Sequence, residues 1–384
     1  MVKPSLLIII KSDSRKDPRT WRQICYLKDE YDITVAAFTD PSVESVKWLP
    51  LSLKRKNLPE NQFLRKVLII WKVIIKKDYA GMLNLLYPSF EGMQNSFDAV
   101  ICHDPFLLGW FTEFMPLTPV VFDAHEYYPR MLENSIKWRV LHKKWDEWIC
   151  KIYIPKCAGL ITVSNKISEE YKNNFPCNPV VIKNAPKLES LEPRKVNSQI
   201  KIIHHGSANP ERCIEHMIDT VKYLDERFTL DLMLTKTNEK YYAKLKKKAM
   251  KAQRVNWIEP VAMQDIAKKC NEYDIGLYIL PEAGFDLKYA LPNKLFEFVQ
   301  ARLAIAIGPS IEMEKIVKKH NLGVVSKDFS QKSMAEALNS LTTEDIIRFK
   351  RNSHQAAQVY NAENEMEKLK GVLRDVRNIR LDSK

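Results

Sequence analysis

Short apolar runs recur along the chain, separated by stretches in which apolar positions return every three or four residues. Ser5–Ile10, Ile33–Phe38, Phe97–Cys102, Pro119–Phe122 and Leu160–Val163 read as buried strands. Such runs, without strict alternation, are expected where helices cover both faces of a parallel sheet. Asp17-Pro18 opens the first helix between them. From Asn184 to Asn197 the pattern lapses into prolines and charges, which predicts a linker. It then restarts: strands at Lys201–His205, Thr229–Leu234, Val255–Ile258, Ile275–Ile279 and Gly323–Val325, with helices predicted over Glu211–Leu224 and Glu239–Ala252. The reading is α/β: two doubly wound Rossmann-like domains. Residues 1–190 form the first and 198–355 the second, with a helix in 360–384 closing the chain.

One stretch of the second domain carries the densest chemistry. Tyr289–Pro309 reads as loop, helix and strand, with Leu303–Ile307 the strand. Pro292 suits a first helical position, and Asn293 and Lys294 then fall in the first turn. Free backbone N–H groups and the helix dipole attract anions there. Glu297 comes one turn later, close enough to accept hydrogen bonds from a ribose whose phosphates meet the helix start.

Composition narrows the classes. The 384 residues, 45% hydrophobic, suffice for two cores. Seven scattered cysteines, without a C-x-x-C or a histidine cluster at ligand spacing, predict reduced thiols rather than disulfides or zinc. No apolar run reaches the length of a membrane span, and the N-terminus lacks a signal-peptide layout. Both statements predict a cytoplasmic protein. The net charge of +13 favours anionic partners or a Lys-rich solvated surface. G-x-G-x-x-G and G-x-x-x-x-G-K-[ST] are both missing, which counts against dinucleotide oxidoreductases and P-loop enzymes. No D-x-D triplet occurs, and no metal or other cofactor is expected.

The run P-N-K-L-F-E at 292–297, followed by A-R-L-A-I-A-I, resembles the donor-site segment of GT-B glycosyltransferases, in particular the retaining family 4 group. Four further pieces extend the likeness over nearly the whole chain: D-P-R-T-W at 17–21, C-H-D-P at 102–105, F-D-A-H-E at 122–126, and H-H-G-S-A-N-P-E-R at 204–212. The resemblance implies two Rossmann-like domains facing a cleft, with the last helix returning to the first domain. It implies donor binding by Gly206, Arg212, Asn293, Lys294 and Glu297, with Arg212, Lys294 and Lys288 candidates for the charge of the leaving diphosphate. His125 and Glu126, at a strand's carboxyl end, are the implied catalytic residues, and His103 stays open. Asp17 and Asp104 read as helix caps. Three positions depart from the family. Ala301-Arg302 stands for a small Ala-Gly pair, and Ser207 replaces a basic residue. Tyr289 occupies the place of the first of two paired glutamates, for which Glu282 and Asp286 are the nearby substitutes.

A basic, apolar stretch follows Lys54-Arg55-Lys56. Phe63, Leu64, Val67, Leu68, Trp71, Ile74 and Ile75 fall near one helical face, with Arg65, Lys66, Lys72, Lys76 and Lys77 elsewhere. It is either a helix lying at headgroup level on an anionic membrane or an ordinary helix packing on its sheet.

These readings predict a glycosyltransferase that moves a sugar from a nucleotide-sugar donor to a glycan or lipid-linked acceptor. A catalytically silent glycosyltransferase-like scaffold subunit is the alternative. A nucleic-acid-binding protein is the third class, and no nucleic acid is expected as partner, since no recognised motif supports it.

Overall fold

The computed structural model describes residues 2–51, 61–87 and 97–382. The chain divides into two compact units. One comprises Met1–Lys183, Gly284–Asp286 and Met366–Lys384, the other Asn184–Ala283 and Leu287–Glu365.

The first unit is built on a seven-stranded sheet. Its strands are β1 (Ser5–Ile9), β2 (Asp32–Ala37), β3 (Lys47–Pro50), β4 (Ala99–Cys102), β5 (Val120–Ala124), β6 (Gly159–Thr162) and β7 (Val180–Val181). Their order is β3-β2-β1-β4-β5-β6-β7, and every pairing is parallel. Leu6 to Ile9 are wholly buried, as are Val100 and Ile101 beside them, which is why these strands read as unbroken apolar runs. The edge strands β3 and β7 escape the sequence pattern because an edge is half in solvent and needs no apolar run. The helix Pro18–Leu27 starts where Asp17 accepts hydrogen bonds from the Arg19 and Thr20 amides, and it buries Ile24 and Leu27. It also buries Arg19 and Gln23, polar residues that need partners. The C-terminal helix Ala362–Asp382 packs Met366, Leu369, Leu373 and Val376 against Leu6, Ile8, Ile24 and Ile33 of this core.

The second unit repeats the plan with β8 (Ile200–Ser207), β9 (Phe228–Thr235), β10 (Val255–Ile258), β11 (Ile275–Tyr278), β12 (Ala304–Ile307) and β13 (Gly323–Val325). The order is β10-β9-β8-β11-β12-β13, again all parallel. In each sheet the strand order reverses once, between β1 and β4 and between β8 and β11. Ligands bind at the carboxyl ends of open α/β sheets at such switch points.

One local expectation changes, and one departure from the family gains a structural account. The helix predicted over Glu211–Leu224 is broken: Pro210–Arg212 is a single 3-10 turn, Cys213 turns left-handed with φ 45°, and the α-helix spans only Glu215–Thr220. Arg212 therefore lies before the helix and not at its start. Arg302, standing for the family's glycine, adopts φ 61°, a conformation costly for a residue with a Cβ. Its guanidinium offsets that cost by donating to the carbonyls of Leu191, Gln300 and Glu189. It thereby ties the Asn184–Asn197 segment to the helix Asn293–Gln300.

The basic stretch forms a helix over Gln62–Ile70 that continues as a π-helical turn over Trp71–Ile75. Lys54, Arg55 and Lys56 lie outside the described residues. Phe63, Leu64, Val67, Ile70, Trp71 and Ile75 are all exposed, Phe63 to 72%, while Val73 is buried. Among the described residues nothing buries the apolar face of this helix on the sheet. Among the described residues no helix is long and apolar enough to cross a membrane. All seven cysteines are free thiols.

Candidate functional site

At the switch point of the second unit, β8 ends in His204, His205, Gly206 and Ser207, and β11 ends in Tyr278. Arg212 Nη1 donates to Tyr278 Oη at 2.6 Å, and Lys294 Nζ sits 3.9 Å from the Tyr278 ring centre. Two cations thus converge on one buried tyrosine. Gly206 makes room for this: its φ is +126°, and a Cβ there would meet Lys294 Cε and Nζ at 3.2 Å. Lys294 is 9% exposed. Burial, then the Arg212 charge, holds its ammonium well below the usual lysine range, against the pull of Glu297. An anion arriving here would stabilise both cations.

Glu297 lies one turn into the helix Asn293–Gln300, its side chain 13% exposed, with Oε2 at 3.4 Å from His205 Nε2. Burial and then Lys294 push His205 down to about 3, so the ring is neutral at pH 7. His204 donates Nδ1–H to the Leu277 carbonyl, and burial keeps it neutral too. Pro292 occupies the cap position itself, so Asn293 and Lys294 open the first turn, and no side chain caps it. Ser207 bonds Thr237 at 2.7 Å and has no basic partner to offer. Glu282 forms an ion pair with Lys288 at 3.6 Å, both partly exposed and so of small energetic weight.

At the switch point of the first unit, β4 runs into His103 and β5 into His125. Asp123, inside β5, is wholly buried and receives Arg19 Nε at 2.8 and 2.9 Å. Gln23 Nε2 reaches the same carboxylate at 2.6 Å, Gln23 Oε1 meets His103 Nε2 at 2.9 Å, and His103 Nδ1 meets His125 Nε2 at 2.8 Å. Burial would raise Asp123, but Arg19 and the two imidazoles hold it far below the carboxylate range. Burial pushes His103 down to about 4 and lowers His125 as well. Removing one partner of a buried pair such as Arg19–Asp123 costs about 3–5 kcal/mol, so the chain starts from a rigid anchor. His103, Asp123 and His125 bring possible metal-ligating atoms within 4.8 Å of one another. Those atoms already bond one another, Gln23 and a guanidinium, which makes the set a hydrogen-bond chain. Asp104 caps the helix Pro105–Phe114 and pairs with Lys11 at 3.3 Å.

Glu126 is exposed, and its carbonyl accepts Tyr171 Oη. Asp286 belongs to the first unit, where Phe285 N donates to Glu133 and the Phe285 ring packs on Tyr127. Both Asp286 carboxyl oxygens are sealed from solvent, and the Tyr127 backbone amide comes near enough to favour the ionised form. Burial, then the Glu126 charge, raises this carboxyl to about 9, so it is protonated at neutral pH. Of the two substitutes for the family's first glutamate, Glu282 is a surface ion and Asp286 a buried acid.

The structure brings Gly206, Arg212, Lys294 and Glu297 into one unit-2 cluster with Tyr278 and His205, whose roles the sequence does not reveal. Gln23, Arg19 and Asp123 were equally hidden. The available signal was a carboxylate inside an apolar strand, which must find a buried partner.

No protein-family model matches the sequence, and no curated protein matches it significantly. Solved structures match over almost the whole chain. HepE from Anabaena, in complex with UDP-glucose, is 12% identical, with 97% of this chain and 99% of that chain covered and a TM-score of 0.67. An α,α-trehalose-phosphate synthase (UDP-forming) from Burkholderia vietnamiensis is 9% identical over 98% and 99%, with a TM-score of 0.67. WaaG, a glycosyltransferase involved in lipopolysaccharide biosynthesis, is 11% identical over 96% and 99%, with a TM-score of 0.63. At such identities the likeness shows the fold: the two-domain Rossmann-like α/β architecture of the GT-B glycosyltransferases.

Proposed function

We propose that this protein is a glycosyltransferase that uses a nucleotide-diphosphate sugar as donor. The observation that carries the reading is the pair Arg212 and Lys294 gathered on buried Tyr278 at a sheet switch point, with a carboxylate one turn away. The diphosphate binds the two cations and the first-turn amides around Asn293, and Glu297 accepts hydrogen bonds from the ribose. Fixed positive groups stabilise charge on the departing diphosphate, the role a metal ion plays elsewhere. His125 and Glu126 are the catalytic residues of this reading, acting on the sugar or the acceptor. Transfer proceeds with retention, as in the family 4 group, onto a glycan or lipid-linked acceptor in surface polysaccharide or glycoconjugate synthesis.

Peripheral binding to an anionic membrane is part of the proposal. The exposed apolar side chains of the helix Gln62–Ile70 and its continuation, with Lys66, Lys76 and Lys77 also exposed, support it. The silent-scaffold alternative draws on Tyr289 and Ser207, which depart from the family's acidic and basic positions.

The test is a thermal-shift screen of the pure chain against nucleotide sugars, UDP-glucose first because HepE binds it, followed by hydrolysis and transfer assays. Binding with turnover supports the enzyme, binding without turnover the scaffold. His125→Ala should lower the rate while leaving diphosphate affinity intact. Lost affinity with an intact rate would reverse that assignment.

A further inference from the structure

The chain of contacts from Asp123 to His125 determines which nitrogen of His125 carries the proton. Asp123, held ionised against Arg19, only accepts hydrogen bonds, so the Gln23 atom 2.6 Å away is the amide nitrogen. The Gln23 carbonyl oxygen then faces His103 Nε2 at 2.9 Å, and that nitrogen must carry a proton. A neutral imidazole has one N–H, so His103 Nδ1 is a lone pair. His125 Nε2, 2.8 Å from it, is therefore the donor, and His125 Nδ1 is left as a bare acceptor. His125 is 28% exposed on its side chain against 1% for His103. Among the described residues no hydrogen-bond partner meets its Nδ1.

We propose that Gln23 and His103 are positioning residues that lock His125 as the Nε2–H tautomer, so that Nδ1 accepts a hydrogen bond from a substrate hydroxyl. Taking that hydroxyl as a sugar's rests on the function proposed above; the tautomer itself does not. The burial that lowers both imidazoles keeps the relay neutral at pH 7. The charged or titratable groups that act on His125 most strongly are Asp123, Arg19, Asp17 and Arg22, with His103 in direct contact. A site that accepts from a hydroxyl discriminates strongly against ligands lacking it, because the acceptor is then left unpaired.

Long-range nitrogen–proton NMR on histidine-labelled full-length protein at pH 7 tests this. Both rings should show a protonated Nε2 and a pyridine-type Nδ1. A protonated His125 Nδ1, or an imidazolium in either ring, would overturn the inference. Gln23→Met should shift His125 toward a tautomer mixture and, in an active preparation, reduce turnover about ten-fold with UDP affinity unchanged. Unmoved His125 signals in a folded Gln23→Met protein would also overturn it. Should that variant fail to fold, the wild-type spectrum still decides. A confirmed tautomer with no activity on any nucleotide sugar would leave the relay standing and discard the transferase reading.

Discussion

Lys294 holds its ammonium 3.9 Å above the Tyr278 ring while Arg212 hydrogen-bonds the hydroxyl of the same tyrosine. The ring's negative face compensates a cation that burial has stripped of water. An incoming diphosphate would complete the compensation and raise the Lys294 pKa toward its ordinary value. Diphosphate binding should therefore take up protons and weaken as pH rises through a window below the usual lysine range. Calorimetric titrations of UDP in buffers of different ionisation enthalpy measure this. Lys294→Met should abolish the proton uptake and, like Arg212→Ala, weaken binding at least about ten-fold. Wild-type affinity in both variants would move the diphosphate site elsewhere.

Glu297→Ala should weaken donor binding more than it harms the fold. A hydrogen bond to a charged group contributes roughly 1.5–3 kcal/mol, hence about ten-fold or more in affinity. The check is a nucleotide-sugar titration beside a melting curve. Unchanged affinity would remove Glu297 from the ribose.

Asp286 makes a stability forecast. Its folded pKa of about 9 exceeds the ordinary aspartate value. Such a group contributes stability fully below the unfolded pKa of about 3.9, and the contribution is lost as pH rises through the folded value. Asp286→Asn should therefore flatten the decline between pH 5 and 9 and be the more stable protein at pH 8, by about 1 kcal/mol or more. Urea unfolding of both proteins at pH 5, 7 and 9 gives the answer. Identical pH slopes would refute the buried neutral acid.

The exposed helix predicts membrane behaviour. Each lysine near an anionic surface contributes about 1 kcal/mol, reduced by salt. Lys72 is spent on Asp78 at 2.5 Å, so the informative change is Lys66, Lys76 and Lys77 together to Glu. Wild type should co-sediment with phosphatidylglycerol vesicles at low salt, and the triple variant should not. Their melting temperatures should agree, because all three side chains are exposed. No sedimentation of wild type would remove the membrane from the account.

By itself the sequence determined the two parallel sheets, because buried strands must be apolar on both faces and that pattern survives in one dimension. Val255–Ile258 and Gly323–Val325 form strands at the residues their apolar runs mark. It also marked Gly206, Arg212, Lys294 and Glu297 as one group, through local spacing and resemblance. The tertiary structure alone decided what those groups meet. Gln23 stands 80 positions from His103 and 100 from Asp123, and yet the three share one hydrogen-bond chain. The left-handed Arg302 finds its acceptors 111 and 113 residues away. Asp286 is neutral, and Lys294 poised below its usual range, only because distant elements exclude water from them. Protonation and tautomer are sums over neighbours in space, and a sequence orders neighbours only along the chain.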